Sequence, residues 1–424
     1  MPKSVLLIAY NYPPLISPQS IRWLYLSREL NKLGYKIDVL TINMPQRFKD
    51  LTEMIPKESN IYRVFPGVFY HITYKYSREK SKTDVTSNSK NSPDAIYRLY
   101  LLIHSICNTF LIPDIYSEWL PHALLKGYTV MKENKYDVII SSSEPRVCHL
   151  VAYVLKRFFP VKWIADYGDP WVYPVSTQKD YMIKKKIIKR IEAHILKYLD
   201  FITLAADGIK SLYLKEYSFL QDKKIEVITQ GYDPELFEAI LAEKGQKDFV
   251  LTYCGSFFKN LRDPSNFFNG LKGLNIPEMK VKIAGRINEF VENLKEGPLD
   301  KIIEYKGFIN HKDSLYLEKN STLLIFISNA IDTQIPGKIY EYIGAKRPIL
   351  CITDNSEDLS SRLIKDTNRG IVVSNDSEEI KAGILKFYNL WKDGKLDNSF
   401  NLNDLDGFTW HYSAKKISEV IDKL

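Results

Sequence analysis

The segment Ile335-Pro336-Gly337-Lys338-Ile339-Tyr340-Glu341 holds, within one turn, the residue types that anion chemistry needs. Pro336 and Gly337 mark a helix start, and a helix start offers unpaired backbone N–H groups to an anion. Lys338 adds a positive charge beside the amides of Ile335 to Gly337, and Glu341, three residues on, lies on the same helix face. Amides and lysine suit a diphosphate; the carboxylate suits a pair of hydroxyls, as on a ribose. A capped helix with a surface Lys–Glu pair fits the same residues. A second group follows the apolar run Phe249–Cys254: Gly255, Ser256, Lys259 and Arg262. Glycine there permits close backbone approach to a ligand, and the arginine fork matches phosphate oxygens, with Lys259 in support. Two solvated loop cations are the plain alternative. Gly285-Arg286 and Gly307-Phe308 sit at equivalent positions after later apolar runs, and Phe308 suits either a nucleobase or the core.

Asp166 and Asp169 flank the end of another apolar run, Val161–Ala165. Carboxylates in that position suit sugar hydroxyls or a general base, or else cap the turn before Pro170. Trp163 and Trp171 read as core or wall. Metal chemistry is not expected: the seven histidines are scattered, and the one Asp-x-Asp, Asp404 to Asp406, lies in a polar loop. No cofactor is expected either.

These groups need strands and helices to hold them. Short continuous apolar runs predict buried parallel strands at Val5–Ala9, Ile37–Ile42, Asp137–Ser141, Val161–Ala165, Phe201–Leu204 and Ile225–Thr229. A second series runs Phe249–Cys254, Met279–Ala284, Ile302–Tyr305, Leu323–Ile327, Ile349–Thr353 and Ile371–Val373. Helical patterns alternate with them, as Trp23, Leu26, Leu30 and Leu33 show before Gly34. The chain has 424 residues, enough for two such α/β domains, and turns polar between Pro234 and Asp248, so the boundary is placed near residue 240. Ser77–Pro93 reads as a surface loop.

Hydrophobic residues make up 45% and charged ones 26%, which excludes a disordered chain. The formal charge of +8 suits an anionic small ligand or an anionic membrane surface and does not call for nucleic acid. The opening apolar run is cut short by Pro13 and Pro14, and no apolar stretch reaches about 18 residues. A cytoplasmic protein is expected. The basic, amphipathic stretch Met182–Leu199 fits a core-packed surface helix or a helix lying peripherally on the inner face of a membrane.

Four segments, in order, resemble family 4 glycosyltransferases of the GT-B fold. They are the opening with Asn11-Tyr12-Pro13-Pro14 and Arg22-Trp23; Trp163–Trp171 with its Asp166 and Asp169-Pro170-Trp171; Val227–Phe237 around Gly231-Tyr232-Asp233; and Gly337-Lys338 with Glu341-Tyr342 followed by Pro348-Ile349-Leu350. The resemblance implies two Rossmann-like domains facing across a cleft. An acceptor-side domain would span 1–240 and a nucleotide-sugar domain 241–408, with a final helix, 409–424, packing back on the first. It implies retaining transfer of a sugar from a nucleotide-sugar donor to a glycan or lipid-linked acceptor, in cell-surface polysaccharide biosynthesis. Lys259 and Arg262 would stabilise the departing nucleoside diphosphate. Gly255, Ser256, Gly285, Arg286, Phe308, Thr333, Ile335, Pro336, Gly337, Lys338 and Glu341 would bind the donor, and Asp166 and Asp169 would serve the acceptor. Two departures stand out. Thr333, with Asp332 beside it, occupies the place of the family's first glutamate. Ser17, Gln19 and Ser20, before Arg22, replace its glycine-rich acceptor-side loop. A nucleotide-sugar epimerase of the same fold and a non-catalytic scaffold are the alternatives.

Overall fold

The computed structural model describes residues 3–44, 49–68, 70, 104–105, 107–171, 182–220, 224–243, 247–259, 261–287, 290–295, 297–329 and 333–424. The expected loop Ser77–Pro93 and Asp332 lie outside them. The chain forms two compact units, one of residues 1–205, 209–228 and 414–424, the other of 206–208 and 229–413.

The first unit holds a seven-stranded, wholly parallel sheet in the order β3-β2-β1-β4-β5-β6-β7. Its strands are β1 (Ser4–Ile8), β2 (Lys36–Ile42), β3 (Ile61–Val64), β4 (Val138–Ser143), β5 (Lys162–Tyr167), β6 (Phe201–Leu204) and β7 (Ile225–Val227). Strand β3 is the one the apolar pattern does not announce. Its four residues are all half-buried at the sheet edge and include Arg63. The second unit holds six parallel strands in the order β10-β9-β8-β11-β12-β13. They are β8 (Phe249–Cys254), β9 (Met279–Ala284), β10 (Ile303–Tyr305), β11 (Leu323–Ile327), β12 (Ile349–Thr353) and β13 (Gly370–Ser374).

Both faces of the second sheet are covered, which explains unbroken apolar runs in place of alternation. In β11, Leu323, Ile325 and Ile327 join one core cluster, while Leu324 and Phe326 join the other. The helices used below are α1 (Pro18–Lys32), α2 (Val147–Phe158), α3 (Met182–Ile195), α4 (Pro234–Ala239), α5 (His311–Lys319), α6 (Lys338–Gly344) and α7 (Trp410–Asp422). The second unit begins at Thr229, earlier than residue 240, because Tyr232, Phe237 and Ile240 are buried in its core. The last eleven residues belong to the first unit. There the Lys416 ammonium donates to the Val227 carbonyl (2.6 Å), Lys3 to the Ile421 carbonyl (2.7 Å) and the Tyr35 hydroxyl to Asp422 (2.7 Å).

In each sheet the strand order reverses once, between β1 and β4 and between β8 and β11. Ligands of open α/β sheets bind beyond the carboxyl ends of the strands at such a reversal. The loops after β1, β4, β8 and β11 are therefore the places to look.

Candidate functional site

In the second unit the loops after β8, β9 and β10 continue the sheet beyond its strands. Gly255 N–H donates to the Ala284 carbonyl (2.8 Å), Phe257 N–H to the Arg286 carbonyl (3.0 Å) and Gly285 N–H to the Gly307 carbonyl (2.8 Å). Gly285 has φ +130°, and a Cβ there would lie 1.8 Å from the Gly255 oxygen, so only glycine fits. This stitching sets Gly255 and Ser256, Gly285 and Arg286, and Gly307 and Phe308 side by side. Phe308 is 52% exposed, and the Arg286 guanidinium lies over its ring at 5.1 Å. Arg262 folds back onto the end of β8: its N–H donates to the Phe258 carbonyl (2.8 Å) and its carbonyl accepts from Phe258 (3.2 Å). Its Nε is buried without a protein partner among the described residues. Burial pushes the neighbouring Tyr253 hydroxyl up to about 12, although Arg262 pulls it the other way. Lys259 is exposed.

Helix α6 follows β11 and is tied to the end of β8, whose last N–H, on Cys254, donates to the Tyr342 hydroxyl at 2.8 Å. No side chain caps the first turn of α6. Lys338 and Glu341 do not stand free as the sequence suggests. The Lys338 ammonium donates to Ser314 Oγ (3.1 Å), Glu318 Oε1 (2.9 Å) and Glu341 Oε2. An ammonium has three protons, so Lys338 is fully spent and its expected contact with phosphate is corrected. The reason is Glu318 on α5, a fully buried carboxylate that requires a counter-charge. Glu341 keeps its other oxygen on His311 Nε2 (3.0 Å). Burial pushes the Glu341 carboxyl up, but Lys338 and His311 together bring it down to about 2, whereas burial holds Glu318 above the ordinary range. Glu341 is thus an anchored, ionised acceptor.

Thr333 Oγ1 is buried without a protein partner. Ile335 packs against the core of its unit, and the carbonyls of Pro336 and Gly337 accept from Ile339 and Tyr340 (both 3.1 Å). Gly337 has an ordinary helical backbone, and a Cβ there would meet nothing nearer than 3.6 Å. Sequence reasoning missed His311, Ser314 and Glu318. Their spacing of three and four residues puts them on one face of α5, a signal that was present.

In the first unit four expected acceptor-side residues turn out to build the fold. Asp166 is fully buried and accepts from Arg22 Nε (3.1 Å) and Nη2 (2.9 Å), Trp23 Nε1 (3.0 Å) and Thr203 Oγ1 (2.7 Å). This carboxylate clamps α1 to β5 and β6, so its expected contact with acceptor is corrected, and with it that of Arg22. Ser17 caps α1 by accepting from Ser20 N–H (3.1 Å), and buried Ser20 donates to the Leu15 carbonyl. Both serines are occupied with the turn. Gln19 differs. It is buried, its Oε1 lacks a protein partner, and its amide lies so close to Gly168 that a Cβ there would be 1.5 Å away.

Beside Gly168, burial pushes Asp169 up to about 6. At the end of β4, burial pushes Glu144 up to about 8, with Arg146 opposing and Asp114, Asp169 and Glu192 adding to the rise. Arg146 Nε lies 3.4 Å from Glu144 Oε1, and Asn11 Nδ2 donates to the Glu144 carbonyl (3.0 Å). Glu144 stands beside Pro145 in no motif that marks it for chemistry, so the sequence alone does not single it out. Trp163 and Trp171 are buried, donating to Ser141 (2.8 Å) and Ser143 (2.9 Å), and His149 stacks on Trp171. On α3, Ile188 and Ile195 are buried but Ile183 is 75% exposed, and Lys184 is turned inward onto the Asn108 carbonyl. Among the described residues no helix is long and apolar enough to cross a membrane, and no three His, Cys, Asp or Glu side chains group as metal ligands.

No family model and no curated protein sequence matches the chain. Solved structures do. Sucrose-phosphate synthase from Thermosynechococcus elongatus superposes with a TM-score of 0.68 at 13% identity, over 99% of this chain and 98% of that one. A glycosyltransferase from Rickettsia africae gives 0.65 at 14%, over 100% and 98%. The UDP-GlcNAc 2-epimerase from Methanocaldococcus jannaschii gives 0.56 at 14%, over 100% of both chains. At such identities the likeness concerns the fold: two Rossmann-like domains with parallel sheets, the GT-B architecture.

Proposed function

We propose that this chain is a glycosyltransferase that moves a sugar from a nucleotide-sugar donor to a glycan or lipid-linked acceptor, with retention, in the making of a cell-surface polysaccharide. The observation that carries the reading is the end of β8. There Arg262 keeps a buried, unpartnered Nε, and the ionised Glu341 is held by Lys338 and His311 on a helix anchored to the same strand end. In this reading Arg262, with Lys259 and Arg286, takes the negative charge that grows on the diphosphate as the glycosidic bond breaks. Glu341 accepts from the ribose hydroxyls. Its geometry is preset by Lys338, which acts as a positioning residue and not as a phosphate ligand. Thr333 and Ser256 offer hydroxyls to the donor, and Phe308 a face for the base. Asp169 and Gln19, with Glu144, serve the acceptor in the other unit. Cation and amide donors of this kind handle a diphosphate without a divalent ion, so no metal is invoked. Exposed Ile183 beside Lys185, Lys186 and Arg190 supports peripheral contact with an anionic membrane, where a lipid-linked acceptor would reside.

A nucleotide-sugar 2-epimerase is the second reading, favoured by the similarity to the Methanocaldococcus enzyme. Thermal-shift titration with nucleoside diphosphates and nucleotide sugars tests the donor site. Arg262→Ala and Glu341→Ala are expected to weaken binding by at least about tenfold, with circular dichroism unchanged. Equal shifts in both variants and wild type would remove the site. NMR of the products separates transfer from epimerisation.

A further inference from the structure

We propose that a second anion site, for inorganic phosphate or a small phosphate monoester, lies in a cavity of about 190 Å³ at the amino ends of β11 and β12, on the edge of the sheet opposite Glu341. Lys319, Lys346 and Arg347 line it, with Glu238, Asp404 and an apolar wall that includes Phe237. Lys319 immediately precedes the turn into β11, and Lys346 and Arg347 lead into β12, so the topology itself brings the three cations to one edge.

Three independent features favour an anion over a merely salted surface. The cations keep hydrogen-bond donors to spare, although Asp404, Glu238 and Asp397 oppose their charge. Lys346 is paired with Asp404 (2.7 Å), but among the described residues Arg347 spends only Nε, on the Lys319 carbonyl (2.9 Å), and Lys319 donates to the Phe237 carbonyl. Burial, with Lys346 and Arg347 adding, pushes the Lys319 ammonium below its ordinary value, Glu238 opposing. That is the electrostatic state a bound anion relieves. Arg369, which does not itself line the cavity, is fully buried within electrostatic reach of Asp404; its Nη2 donates to the Asn403 carbonyl (2.6 Å), while among the described residues Nε and Nη1 have no protein partner. Finally, Lys346 has φ +55°, one of two non-glycine residues with positive φ among the described residues. It stands just past the end of α6, where glycine is the unstrained choice. A backbone cost accepted at a cation beside a cavity points to a use for that cation.

The ligand class follows from the inventory. A tetrahedral dianion offers oxygens to more than one of the three cations at once, as a carboxylate does less well. The cavity volume admits phosphate with a small substituent.

Isothermal titration of inorganic phosphate into the full chain tests this. Lys346→Gly and Arg347→Ala are expected to weaken phosphate by at least about tenfold, and Arg262→Ala, at the other edge of the sheet, to leave it unchanged. Lys346→Gly is the decisive variant because glycine relieves the left-handed backbone: its unfolding midpoint without phosphate is expected to equal or exceed that of wild type. Failure of wild type to bind phosphate, equal binding by Lys346→Gly and Arg347→Ala, or loss of binding only in Arg262→Ala would overturn the proposal. Lys346→Gly and Arg347→Ala are expected to bind nucleoside diphosphate as wild type does, so failure of this proposal leaves the donor site standing.

Discussion

At the end of β5 in the first unit, Asp166 and Arg22 neutralise each other in complete burial, and both oxygens of the carboxylate are consumed. At the end of β8 in the second unit, Lys338 is likewise saturated, but between two carboxylates, and Glu341 remains partly exposed. Each is an ion pair near a strand end, and each contains a residue that sequence resemblance marks for chemistry. Only the second leaves a charged group at a surface a ligand can reach. The difference lies in the partner count: two further donors, Trp23 and Thr203, close the first carboxylate, whereas Glu341 has only Lys338 and His311. Elsewhere in the first unit, moreover, Asp114, Glu144, Asp169 and Glu192 are all pushed up by burial. In the first unit burial thus favours the protonated form of these carboxyl groups, whereas in the second the cations around Glu341 favour its ionised form.

The largest expected effect breaks the comparison at its buried end. Asp166→Ala leaves the Arg22 guanidinium without its carboxylate in a site with no water access, and removal of one partner of a buried pair costs about 3–5 kcal/mol. Urea unfolding followed by tryptophan fluorescence checks it. A loss below about 1 kcal/mol, the range of an exposed pair, would show Asp166 to be a surface group after all.

Much of this fold is legible in the sequence, because strands covered on both faces write themselves as continuous apolar runs, and twelve runs fall on observed strands. The exception, β3, is short, half-buried and at an edge, so it carries neither the run nor the alternation. The sites are less legible. Lys338 reads as a phosphate ligand until Glu318, twenty residues away in sequence, takes one of its protons. Asp166 reads as reactive until Arg22 arrives from the first helix. Ionic partners distant along the chain leave no periodic trace, whereas Gly255 and Gly285 announce themselves by following strands directly.

Acid and base should sharpen the contrast, since the two units respond with opposite sign. Glu144, Glu192, Asp114 and Asp169 bind protons more tightly folded than unfolded, so their contribution falls as pH rises from their ordinary values near 4 through about 6 to 8. Glu341 is the reverse: its contribution is present above its ordinary value of 4.5 and is lost as pH falls toward about 2. Urea midpoints measured from pH 3 to pH 9 are expected to decline on both sides of a maximum. Glu144→Gln should flatten the alkaline limb between about pH 6 and 8, and Glu341→Gln the acid limb. An alkaline limb unchanged in Glu144→Gln would show that its carboxyl is not the one held protonated.

The smallest effect concerns two glycines that sequence reasoning treats alike. Gly285 is required by its own backbone, with φ +130° and the Gly255 oxygen in the place of a Cβ. Gly337 is not, since its φ is −55° and the nearest atom to a Cβ is Gln230 Cγ at 3.6 Å, an ordinary contact. Gly337→Ala is therefore expected to leave stability within about 0.5 kcal/mol of wild type. If the residue is glycine because a ligand approaches it, the same substitution should still weaken nucleoside diphosphate binding, and the two measurements diverge. A methyl group that changes neither quantity would mean that nothing comes near this helix start, and the anion would then rest on Arg262 and its neighbouring cations alone.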